Sequence, residues 1–188
     1  MVRLSILAAC VAVAAGSLFH RHHDPERAAA ESDIKLTRSV DSVASGYSGK
    51  VTVDQGCSSS DQYGSNDCAF AWGETLKLDA SITAGADVTT GAKFVVDAKI
   101  DSIVPFKAEC AACGANCTIT VPIVKKEITL AMPKCPLVPK GKPLSAEVPI
   151  TLPAKSPLPV KVSAKGNAKL VAADGSTIAS VDFDATVE

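Results

Sequence analysis

Four thiols, Cys110, Cys113, Cys117 and Cys135, fall within one short stretch of the chain, and two more, Cys57 and Cys68, precede them. Cysteines so spaced can ligate zinc, run a dithiol redox cycle or close disulfides. A structural zinc site is built from two separated Cys-x-x-Cys knuckles, and only Cys110-Ala111-Ala112-Cys113 has that spacing. The same tetrapeptide is a redox motif when it opens a βαβ unit, and no helical pattern flanks it here. Behind an apolar N-terminus the six cysteines read as three disulfides, with no metal. For the last four, three pairings are open, among them Cys110–Cys113 with Cys117–Cys135. The histidines do not rescue a metal or catalytic reading. His20, His22 and His23 are the only three in the chain, they have no further ligand nearby, and they read as a solvated tail. With no histidine beyond residue 23, a Ser–His–Asp triad cannot be assembled from the remainder. The chain is expected to be neither an enzyme nor a cofactor carrier.

The elements that must hold these cysteines are strands. From Gly49 onward the apolar period is two. Val51 and Val53 alternate with Lys50, Thr52 and Asp54; Leu76, Leu78, Ala80 and Ile82 with Lys77, Asp79 and Ser81. Phe94, Val96, Ala98 and Ile100 oppose Lys93, Asp97, Lys99 and Asp101. Ile119, Val121 and Ile123 follow, then Ile128 and Leu130, then Val148, Ile150 and Leu152. Val160, Val162, Ala164, Ala168 and Leu170 alternate with lysines, and Ala179, Val181, Phe183, Ala185 and Val187 end the chain. Eight or nine strands are expected, separated by turn signals such as Pro139-Lys140-Gly141-Lys142 and Asp174-Gly175, the latter a hairpin. No helical stripe competes. The predicted fold is all-β: an immunoglobulin-like antiparallel β-sandwich of two sheets with disulfide-stapled loops.

The N-terminus carries a processing signal rather than structure. Arg3, the apolar run Leu4 to Ala15, and Ala14-Ala15-Gly16 compose a signal peptide over residues 1–16. Leu7-Ala8-Ala9-Cys10 resembles a lipoprotein box, but the apolar run continues past it. Residues 17–45, charged and alanine-rich, are expected to be a flexible or pro-segment, with Arg27-Ala28-Ala29-Ala30 a second processing point. Residues 46–188 are expected to be the domain, secreted or held in the endolysosomal lumen by way of the secretory pathway. A net charge of −1 offers no basic stripe for nucleic acid. Only 4% of residues are aromatic, so the sheets must either pack closely or stand apart and enclose something.

In three segments the residues resemble the ML-domain lipid-recognition family. Lys50-Val51-Thr52-Val53 leads to Cys57, Cys68 and Gly73-Glu74-Thr75, like the family's N-terminal disulfide loop and turn. Val104-Pro105-Phe106 precedes the Cys110–Cys117 cluster, like the segment before its second loop. Cys135-Pro136-Leu137, Ile150-Thr151-Leu152-Pro153, Pro159-Val160-Lys161-Val162 and Asp174-Gly175 resemble its C-terminal strands. The resemblance spans roughly residues 46–188. It implies Cys57–Cys68 and, by the loop spacing of the family's ganglioside activator, Cys110–Cys117 with Cys113–Cys135. One departure stands out: many members bridge the first strand to the last, whereas here Ser180 and the segment around Ser39 and Ser42 have no cysteine.

The resemblance further implies a monomeric lipid-binding or lipid-transfer protein. A sterol, fatty-acid or phospholipid chain would lie between the sheets, with transient membrane contact at the mouth. The lining expected is Phe94, Val96, Ile100, Val104, Phe106, Ile119, Val121, Ile123, Val148, Ile150 and Val162. Val104 and Phe106 are expected at the mouth, because Pro105 should break the strand beside the disulfide loop. Asn116-Cys117-Thr118 is a glycosylation sequon at Asn116. The competing readings are a β-sandwich interaction module with a closed core, and a lipid-presenting cofactor for a hydrolase.

Overall fold

The computed structural model describes residues 34–121, 126–130, 132–156 and 161–188. Among these there is no helix, and twelve strands form: β1 (Ile34–Val43), β2 (Ser48–Val53), β3 (Cys57–Asp61), β4 (Gly64–Phe70), β5 (Thr75–Thr83), β6 (Lys93–Ile100), β7 (Val104–Ala111), β8 (Cys117–Val121), β9 (Lys126–Leu130), β10 (Leu144–Thr151), β11 (Val162–Val171) and β12 (Thr177–Val187). The all-β expectation holds, and the strand count exceeds it. The four additional strands are β1, β3, β4 and β7, and for three of them the sequence shows why they were obscure. In β1 the charged Arg38 interrupts the apolar set Ile34, Leu36 and Val40. In β3 the run Cys57-Ser58-Ser59-Ser60-Asp61 has no apolar face and is held by its ladder and disulfide to β4. In β7 the residue that should have broken the strand, Pro105, lies within it. β7 is an edge strand, where a missing N–H costs no ladder bond.

The domain therefore begins earlier than the expected residue 46. β1, within the stretch read as flexible, lies in the sheet between β12 and β4.

The sandwich is built from one long sheet and a short ribbon. A ten-stranded sheet runs β10-β5-β2-β4-β1-β12-β11-β6-β7, with β3 on β4, and β8-β9 is a separate ribbon. The long sheet folds over at β4. Its link to β2 is a single parallel pair, Val51 with Gly64, and its link to β1 runs only from Ile34–Phe70 to Leu36–Cys68. Gly64 is required at this corner: its φ is 109°, and a Cβ there would overlap the backbone of Val51. Past Leu36 the ladder gives way to side chains. The Arg38 amide donates to Asn66 Oδ1 at 2.8 Å, and the Arg38 guanidinium donates to Ser65 O at 3.1 Å and as a fork to both Asp61 oxygens at 3.1 and 2.9 Å.

Two apolar clusters join the folded halves. One gathers Ala80 and Ala84 with Ile178, Ala92, Ala112, Val88 and Val138; Phe94, Leu170, Val51 and Ile82 pack against it. The other gathers Leu76 and Leu152 with Ile34, Val187, Phe70 and Trp72. Ile178 enters the first because the ladder shifts register between Leu170 and Val171. That bulge turns to the core a residue that strict alternation had placed outside. Three disulfides close: Cys57–Cys68, Cys110–Cys117 and Cys113–Cys135. Ser42 and Ser180 are direct partners across β1 and β12.

Candidate functional site

Inward-facing positions follow from the two clusters. Phe94 and Leu170 touch the β10-β5-β2 half at one end, and Ile34 and Val187 touch it at the other. By the two-residue alternation of a strand, the residues between them on β1, β12, β11, β6 and β7 share that face. The ladder registers arrange them in cross-strand rows. One row is Ala108–Val96–Ala168–Val181–Val40; the next is Phe106–Ala98–Gly166–Phe183–Arg38; the third is Val104–Ile100–Ala164–Ala185–Leu36.

The first of these rows is half-buried throughout, and so are Phe106, Phe183, Ala164 and Leu36. None of these residues belongs to either packed cluster. The inner face of the larger half is thus apolar and only partly covered at its middle, between ends that are closed. In the second row two large side chains flank small ones. Phe106 and Phe183 stand on β7 and β12, about 14 Å apart at ordinary strand spacing. Between them lie only Ala98 and Gly166. A Cβ on Gly166 would run into Ala98 and the Asp97 carbonyl, so the floor stays low.

Charge is nearly absent from this face. Arg38 is the ionic residue in the three rows, and its guanidinium is engaged by Asp61 and Ser65. The Arg38 bond in turn holds the Asp61 carboxyl below the usual carboxylate range. Nothing here offers an unpaired charge to a buried headgroup. Among the described residues no three His, Cys, Asp or Glu side chains group as metal ligands.

The third row ends at the β6–β7 hairpin. Asp101 and Ser102 are both left-handed, with φ 48° and 61°, and the Ile103 amide closes the turn on Ile100 O at 3.1 Å. The strands pair again at Ile100 and Val104, so Asp101, Ser102 and Ile103 form a three-residue loop. Asp101 Oδ1 accepts from the Ser163 amide at 2.8 Å and from its hydroxyl at 3.2 Å, and the Asp101 amide donates to Ser163 O at 2.8 Å. Beyond the turn Val104 is 38% exposed.

Of the residues expected to line a pocket, the structure brings Phe94, Val96, Ile100, Val104, Phe106 and Val162 onto one face. Val96 and Phe106 lie in its first and second rows. Phe94 belongs to an end cluster, and Ile100 and Val162 are buried near the hairpin end. Ile150 lies on the other half, packed in the second cluster. Ile119 is buried in β8, which pairs only with β9. The side chains of Val121 and Val148, and all of Ile123, lie outside the described residues. Val104 and Phe106 are not beside the disulfide loop: Cys110 is at the far end of β7, about 20 Å from Val104. Asn116 is exposed in the loop closed by Cys110–Cys117.

The sequence reading omitted Leu36, Val40, Ala168, Val181 and Phe183 from the lining. Val181 and Phe183 were legible as inward residues of the last strand. Their adjacency to Val96 and Phe106 depends on β11 lying between β12 and β6, which periodicity does not encode.

No protein-family model matches the chain, and no curated protein does. Among solved structures it is similar to the crystal structure of chicken MD-1 complexed with lipid IVa. The two are 18% identical, with a TM-score of 0.44, over 84% of this chain and 93% of that chain.

Proposed function

We propose that this protein binds a lipid, holding the apolar part of one molecule in a trough between the two halves of its folded sheet, between Phe106 and Phe183. One observation carries the reading. A contiguous apolar inner face, Val96, Ala168, Val181 and Val40 with Phe106 and Phe183, is only half-buried while both ends of the sandwich are packed. An apolar surface left in this state gains from a guest. Each methylene buried there contributes about 0.8 kcal/mol, so an acyl chain or sterol skeleton offsets the ordering terms of binding. Because Arg38 is already engaged, the buried part of the ligand is uncharged, and a polar headgroup stays at the β6–β7 mouth. Three disulfides fit an oxidising compartment, and we place the protein on the secretory route, secreted or in the endolysosomal lumen.

The test is to isolate the disulfide-bonded protein and identify co-purifying lipid by native and denaturing mass spectrometry, then rebind sterols, fatty acids and phospholipids after delipidation. The expected result is a one-to-one complex that Ala168→Phe, which fills the trough, abolishes without unfolding the chain. A protein that carries no lipid and takes up none of the three classes overturns the proposal.

A further inference from the structure

We infer, resting on the secretory route proposed above, that Asn116 accepts an N-linked oligosaccharide only while Cys110 and Cys117 are still thiols. Glycan attachment and loop closure then compete as the chain matures. The folded chain exposes the acceptor of the sequon and locks the residues after it. Asn116 is open to solvent in its loop. Cys117 is 3% exposed, bonded to Cys110 and paired with Leu130 across the β8–β9 ribbon. Thr118 pairs with Thr129, and their hydroxyl oxygens lie 3.2 Å apart. The loop before Asn116 is held as well. The Gly114 amide donates to Pro133 O at 2.7 Å, and Cys113 is bonded to Cys135.

Transfer needs more freedom than this. Asn116 Nδ2 must reach the anomeric carbon of a lipid diphosphate-linked oligosaccharide while the Thr118 hydroxyl enters the same enzyme groove. A bond forms from Nδ2 to that carbon, and the bond from the carbon to the diphosphate oxygen breaks. The diphosphate leaves with the electron pair, and Nδ2 gives up one proton. In the closed loop the same approach requires β8 to leave its ladder and the Cys110–Cys117 link to open.

Closure acts on the same segment. By thiol–disulfide exchange the two cysteines lose two protons, and their two electrons reduce the disulfide of an oxidoreductase to a dithiol. The order runs one way. Because Asn116 is exposed, a glycan attached first projects into solvent and leaves the loop able to close. A loop closed first withdraws the sequon. Cys110 lies at the end of β7 away from the β6–β7 hairpin, so the glycan leaves Val96, Phe106 and Phe183 untouched.

The experiment places a heterologous secretory leader ahead of the full chain in a eukaryotic host. Occupancy of Asn116 is read by mass spectrometry after enzymatic deglycosylation in heavy-oxygen water. Partial occupancy is expected in the parent. Cys110→Ser, which keeps the sequon unchanged but prevents closure, should bring it near completion. So should a reductant present during synthesis of the parent, and that reductant should change nothing further in Cys110→Ser. The reductant arm uses the native sequence, so it decides the matter even where the variant fails to fold. Asn116 bare throughout, or equally occupied in every arm, overturns the inference. The added leader takes the chain into the lumen whatever its own N-terminus does. Export of the chain without that leader, measured in parallel, reads the secretory route separately.

Discussion

If the trough is unfilled in the lipid-free protein, Phe106 and Phe70 should respond differently to truncation. Phe70 is buried at 7% exposure within a packed cluster, and Phe70→Ala should destabilise by about 3–5 kcal/mol, the usual range for a core phenylalanine. Phe106 is half-buried and belongs to no cluster. Without lipid, Phe106→Ala should remove only about half that, near 2 kcal/mol. Lipid reverses the order of sensitivity. A ligand at a hundred times its dissociation constant stabilises the native state by about 2.7 kcal/mol, or about 5–10 °C for a domain of this length. Losing the Phe106 wall should weaken binding about ten-fold, which leaves about 1.4 kcal/mol and half the thermal shift. Denaturant and thermal unfolding of parent and both variants, with and without lipid, reads all of these quantities. If Phe106→Ala in lipid-free protein is as damaging as Phe70→Ala, the ring is packed, the trough does not exist, and the argument for binding collapses.

Ser42 and Ser180, partners across β1 and β12, should form a disulfide when both are cysteine. Closing so long a loop is worth about 5 kcal/mol in the chain-entropy model; thiol titration and a melt with and without reductant check it, and a pair that stays reduced would show that the register is wrong. The Arg38–Asp61 fork should make stability acid-sensitive. The folded carboxyl is held below its ordinary value, so its contribution is present above about pH 4 and lost as pH falls through the lowered value. Asp61→Asn should flatten that part of the stability–pH curve, and an unchanged acid limb would mean that the fork contributes nothing. Gly64→Ala should destabilise by at least about 2 kcal/mol, since it combines a left-handed backbone with overlap against Val51. A neutral Gly64→Ala in urea unfolding would contradict the tight β2–β4 corner.

What the sequence made legible was whatever rests on alternation within one strand. Lys93–Ile100 reads as a strand from Phe94, Val96, Ala98 and Ile100 alone, and the Asp174-Gly175 turn follows from its two residues, Gly175 being left-handed at φ 88°. Features set by a neighbour were hidden. Pro105 is harmless because nothing pairs on its side of β7. Ile178 is buried because it is the extra residue of a bulge in its own strand. β3 exists because Cys57 faces Cys68. The candidate site divides along the same line: Val96 and Phe106 came from alternation, whereas Val40, Val181 and Phe183 joined them only through registers across β11 and β12.

The proposed trough draws on a mismatch of widths. The half made of β10, β5 and β2 has three strands and spans about 10 Å, whereas β1, β12, β11, β6 and β7 together span about 19 Å. Three strands alone do not reach across five, and β8–β9, joined to β7 by Cys110–Cys117, stands beside the far edge. In an ordinary sandwich large aromatic side chains would make up the difference, but this chain has few, and the rows in question carry Ala98, Ala108, Ala164, Ala168 and Gly166 between their two phenylalanines. β7, farthest from the corner at β4, contributes no side chain to either cluster. A closed-core module has no room at those small positions, and replacing Ala108 or Ala168 by leucine should then destabilise it by about 1–3 kcal/mol through overpacking. If the space belongs to a lipid, the same leucines should leave the lipid-free protein stable and remove its ligand, and the pairing of unimpaired folding with lost binding is the outcome that separates the two architectures.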